Sequence, residues 1–157
     1  MSQSGGFDWS KMSTASRILI IAGALYIIDL FLPWQSVDLG LRSVTANGVQ
    51  GIGVLNLLLA IALVAWEAMA VAGVEVNAPK SLISAALAGG IVLFTILKII
   101  VDSESIAIFA WIGLILALVI GYGGWMRWQE HQASGGGMGG SSTGGTAPPP
   151  MPGGPPA

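Results

Sequence analysis

Residues 18–34 read ILIIAGALYIIDLFLPW, a run of apolar side chains with one carboxylate, Asp29, inside it. Three further runs of the same character follow. An α-helix rises about 1.5 Å per residue, so about 20 apolar residues match the roughly 30 Å hydrocarbon core of a bilayer. Composition points the same way. Of 157 residues, 54% are hydrophobic and 9% charged, against about 25% charged in an ordinary soluble domain. Mean hydropathy is +0.77. The expected fold class is an all-α membrane protein, a four-transmembrane-helix bundle with a disordered Gly/Pro-rich C-terminal tail.

Read in order, residues 1–14 form a polar N-terminal segment whose Phe7, Trp9 and Met12 suit the lipid headgroups. Lys11 and Arg17 before an apolar run also fit a signal peptide, but the run ends in Leu-Phe-Leu-Pro-Trp with no small-residue cleavage site, which favours a retained span. The four-span domain covers residues 15–128, with spans at about 15–34, 52–73, 80–101 and 106–125. Pro33 disfavours helix at the residue before it and marks the first exit, with Trp34 placed for the interface. In the loop of residues 35–50, Val37, Leu39 and Leu41 alternate with Asp38, Gly40 and Arg42, and Asn47-Gly48 is a turn signal. A short surface hairpin and an irregular loop both fit. Residues 129–157 are read as a tail, and six of the eight prolines lie there. A segment so poor in apolar surface cannot offset its ordering entropy. The P-x-x-P spacing at Pro149 and Pro152 is expected of such a composition and reads as a linker.

Basic residues set the orientation. With both ends cytoplasmic, Lys11, Arg17, Lys80 and Arg127 lie inside and Arg42 and Lys98 outside, as the positive-inside rule asks. The charges within the spans are the candidate site: Asp29, Lys98 and Glu67. Each costs about 2.5–3.5 kcal/mol on insertion scales and is a functional hypothesis by default. Asp29 lies four residues before Pro33 and Lys98 four before Asp102. Both therefore sit about 6 Å below the outer boundary, at matching depth. They can form an ion pair that clips span 1 to span 3, snorkel separately, or handle ions. Glu67 lies deeper, with Arg17, Lys80 or Arg127 as partner, unless span 2 ends early and Glu67 is interfacial beside Trp66. Asn56 is expected to hydrogen-bond between helices. Small residues at four-residue spacing mark candidate helix-packing faces. They are Gly113, Ala117 and Gly121 in span 4, with Ala85 and Gly89, and Ala86 and Gly90, in span 3.

Other chemistry is poorly represented. A formal net charge of -2 offers no basic surface for nucleic acid, and the absence of cysteine excludes disulfides, thiolate catalysis and thiolate-ligated metals. Ile120-Gly121-Tyr122-Gly123 matches part of a potassium-channel filter, but Val119 replaces the leading threonine and the stretch ends a span rather than following a pore helix. His131 has no triad or metal partner at a diagnostic spacing, and Gly51-Ile52-Gly53 has no strand before it and no G-K-[ST] continuation. No catalytic residue, cofactor or metal is expected.

Leu30-Phe31-Leu32-Pro33-Trp34, with the general plan from Ser16 to Trp128, resembles uncharacterised small four-span membrane proteins of actinobacteria. The resemblance implies a bacterial plasma-membrane setting, and no function or site transfers from it. The expected function is non-enzymatic: association in the plasma membrane as accessory subunit, scaffold or envelope component. Its partners would be the lipid bilayer and a membrane protein or further copies of the chain. The alternative is a small transporter or ion-conducting oligomer using Asp29, Lys98 and Glu67.

Overall fold

The computed structural model describes residues 9–74 and 77–133. Among these the chain forms α1 (Thr14–Leu30), a hairpin of β1 (Pro33–Asp38) and β2 (Ser43–Asn47), α2 (Gly53–Val71), α3 (Lys80–Val101) and α4 (Ile108–Ala133). Single 3-10 turns lie at Trp9–Lys11 and Ser103–Ser105. The residues expected in the tail from 134 onward lie outside the described residues. Residues 129–133, assigned to that tail from composition, continue α4.

The helix ends follow local chemistry. Ser13 caps α1, its side chain accepting from the Ser16 backbone N–H at 3.2 Å. Pro33 forces the chain out of the helix, and α1 stops at Leu30, earlier than the expected 34. α2 closes in a Schellman motif. Gly73 takes a φ of 76°, and Val74 N–H reaches Met69 O at 3.2 Å.

The loop after α1 is an antiparallel hairpin, with Gln35 opposite Ala46 and Asp38 opposite Ser43. It turns at Leu39–Arg42, where Gly40 has a φ of 78°. The Asn47-Gly48 signal marks a later turn, the one that feeds α2, with Gln50 N–H bonded to Asn47 O. Two short strands alone are marginal. These are pinned from below by Ala107 N–H to Trp34 O at 2.7 Å and Gly48 N–H to Leu32 O at 3.3 Å.

Each helix packs against two others, α1 on α2 and α4, and α3 on α2 and α4. Leu19, Tyr26, Leu30, Leu63, Ile91 and Ile120 fill the centre and are fully buried. The outside is apolar too: Ile28, Leu58, Leu93, Ile100, Ile115 and Leu118 are all more than half exposed. Asp29, Asn56, Glu67, Ser84, Thr95 and Lys98 are buried instead. Polar groups inside and hydrocarbon outside is the arrangement lipid imposes. α2, α3 and α4 are long and apolar enough to cross a membrane. α1, at 17 residues, is about 25 Å long and shorter than the others.

Candidate functional site

The buried polar groups fall into three levels. The first lies where α1 begins and α4 ends. Glu67 on α2 is fully buried, and its Oε2 accepts from Arg127 Nη2 on α4 at 2.7 Å. Its other oxygen accepts from the Ser84 hydroxyl on α3. Arg127 also donates to the Ser16 hydroxyl on α1 and, through Nη1, to Glu130 at 2.9 Å. All four helices thus meet at one carboxylate and one guanidinium. Arg127 was one of three cations that sequence offered Glu67. Arg17 instead donates to Trp9 O, and Lys80 to Val74 O.

The second level lies ten residues along α1 and eleven along α2 and α3, about 16 Å away. Thr95 on α3 donates to Ile91 O at 2.7 Å, leaving its oxygen to accept from the Tyr26 hydroxyl of α1 at 2.6 Å. Asn56 Nδ2 on α2 approaches the same oxygen at 3.5 Å, and Asn56 Oδ1 has no partner. The expected interhelical role of Asn56 is thus seen, at the long end of hydrogen-bond distance.

The third level closes the end beneath the hairpin. Trp34, read from sequence as an interfacial side chain, is 1% exposed and turned inward. Its indole N–H is shared between Asp29 O at 2.9 Å and Asp29 Oδ2 at 3.1 Å. Tyr26 meets the indole edge-on with ring centres 6.3 Å apart. Gly113 and Gly48 make the space: a methyl group on either would run into the indole.

Of the readings open for Asp29 and Lys98, the ion pair between them does not form. Lys98 Nζ binds Asp102 Oδ2 at 2.9 Å and Gln50 O at 3.0 Å, while Asp29 turns to Trp34 and leaves Oδ1 without a partner. Matching depth fixes only one coordinate. Lys98 has a carboxylate one turn ahead on its own helix, an i,i+4 neighbour that needs no interhelical reach.

The small-residue faces divide. Gly113 and Ala117 are buried, Gly121 lies against Val92, and Gly90 faces Leu59 of α2. Ala85 lies against Gly124, a contact sequence did not single out. Gly89 has open space around it and Ala86 is exposed, so neither is buried in a helix contact among the described residues. Ser16, Ser84, Tyr26 and Thr95 were also missed. The available signal was a hydroxyl in an apolar run at the depth of Glu67 or Asn56.

Between the first and second levels the interior is hydrocarbon. Leu19, Ala22, Ala60, Leu63, Ala88, Ile91, Ala117 and Ile120 are each at most 4% exposed. Among the described residues no cluster of three His, Asp or Glu side chains is placed to share a metal ion. Comparison with protein-family models, curated proteins and solved structures finds no match for this chain.

Proposed function

We propose that this chain is a four-span plasma-membrane protein with both ends in the cytoplasm. It acts by association, as an accessory subunit, scaffold or envelope component, and neither catalyses nor conducts. The observation that carries this reading is the dry layer between the two lower polar levels. An ion or proton crossing a single copy would traverse about 16 Å of hydrocarbon with no polar relay. Two of the three intramembrane charges are also engaged. Glu67 is held by Arg127 and Lys98 by Asp102. Groups spent on joining helices stay out of a transport cycle.

α1 crosses by adding the turn at Phe31 and Leu32, through Pro33, to its helical length. The hydrogen bond between Ser16 and Arg127 brings the start of α1 and the end of α4 together, which supports placing both termini on one side. Lys11, Arg17, Lys80 and Arg127 make that side the inner one. Purified protein in liposomes, read for proton and cation flux, tests the proposal alongside crosslinking in native membranes. Flux equal to empty liposomes, with a defined crosslinked partner or oligomer, is the expected result. Flux abolished by Asp29→Asn would establish the transporter alternative.

A further inference from the structure

A groove of about 270 Å³ runs along the outside of the molecule between α1 and α4. Ile18, Ile21, Ala22 and Leu25 form one wall and the floor, and Leu116 and Val119 form the other wall. The groove exists because Ala22 is small and sits between two larger side chains that stand out from the helix, Ile21 at 51% and Leu25 at 48% exposure. At one end Thr14 and Arg17 turn only the hydrocarbon parts of their side chains to the groove, and both residues lie exposed there. From Thr14 to Leu25 is eleven residues, about 16 Å of helix, which matches half the roughly 30 Å hydrocarbon core.

Arg17 is the second observation. Its guanidinium carries five N–H donors. Nη2 is bonded to Trp9 O at 2.6 Å, and no carboxylate among the described residues pairs with it. That bond holds an otherwise flexible side chain at the groove mouth with donors to spare. A planar fork of this kind suits a phosphate, which it can bind through two parallel bonds.

We propose that this groove is a binding site for one phospholipid of the leaflet on the side of the chain termini. One acyl chain lies over Ala22 between the two helices, and the phosphate sits against Arg17 with the Thr14 hydroxyl beside it. Arg17 selects lipids with net negative headgroups, because a zwitterionic headgroup returns part of its attraction as repulsion. The site rests on the membrane placement proposed above.

The test uses the full chain in nanodiscs of equal phosphatidylglycerol and phosphatidylcholine, with retained lipid read by native mass spectrometry after detergent exchange. Retention of one phosphatidylglycerol in preference to phosphatidylcholine is expected. Arg17→Ala should lower that preference about fivefold, the usual effect of one basic residue near an anionic surface, and Arg17→Lys should restore part of it. Val119→Trp fills the groove from an exposed position and should displace both lipids. Equal retention of the two lipids, or a preference unmoved by Arg17→Ala and Val119→Trp, would overturn the site. Circular dichroism checks that the variants remain helical, and if Arg17→Ala unfolds, Val119→Trp alone decides. Release of the chain from cell membranes by alkaline carbonate is a separate outcome. It would overturn the membrane placement, and the lipid site with it.

Discussion

Replacing Arg127 by Gln should be among the most damaging single changes in the chain. The guanidinium ties α4 to Glu67 of α2 at 2.7 Å and to Ser16 of α1. Without it Glu67 stays fully buried with Ser84 as its remaining donor. Breaking a buried ion pair from one side costs about 3–5 kcal/mol, and we expect the lower end, about 3 kcal/mol, because helices unfolded within a membrane also find polar partners. Glu67→Gln should cost only about 1 kcal/mol. It keeps a group that Ser84 can bond, and Arg127, 17% exposed, keeps Glu130. The double variant leaves two amides facing each other and should cost about 2 kcal/mol, less than the two single changes together. Stability is read by SDS titration or steric trapping in bicelles. A coupling energy of about 2 kcal/mol is expected. Additivity within about 0.5 kcal/mol, or equal costs for the two single variants, would refute the reasoning.

Four further outcomes follow from the packing and the polar contacts. Trp34→Phe removes the donor to Asp29, whose Oδ1 already lacks a partner. It should cost about 1–3 kcal/mol and speed tryptic cleavage after Arg42 in the hairpin; unchanged cleavage would detach Trp34 from hairpin docking. Gly113→Ala places a methyl 2.6 Å from Asp29 Oδ2 and should destabilise by about 1–3 kcal/mol. Gly89→Ala meets nothing within 4 Å and should stabilise by about 0.5–1 kcal/mol, so a loss there would reveal a contact made with another chain. Exchanging charges as Asp29→Lys with Lys98→Asp should give the sum of the single losses in the same titration, and a rescue would restore the abandoned ion pair.

The existence of all four helices, and the extent of α2 and α3, were legible because hydrophobic length is a property of the chain itself, whereas α1 stops early at Leu30 and α4 runs on to Ala133. α3 occupies the expected 80–101 and α2 the expected run less its ends. Relative level along the bundle was legible too, since rise per residue converts position into height. That is why Glu67 could be offered three cations of the right level, one of which it binds. The direction around each helix was not legible. A run apolar on all sides has no polar face to say which way it turns, so Asp29 and Lys98, expected at matching height, have different partners. The same ambiguity sorted Gly90 inward and Gly89 outward from one stretch of small residues. Trp34 was misplaced for another reason. An indole beside a proline exit reads as interfacial, but its N–H here answers the carbonyl and carboxylate that the broken end of α1 leaves behind.

In the proposed arrangement α1 crosses the bilayer with the other three helices. The chain contains no cysteine, so single cysteines can be placed and labelled with an impermeant maleimide in intact cells. Leu41, 99% exposed at the hairpin turn, should label from outside once changed to Cys. Cysteines replacing Ser10, Gly73 and Ala133 should label only after the membrane is opened. Labelling of the Ser10 and Leu41 positions from the same side would show that α1 does not cross.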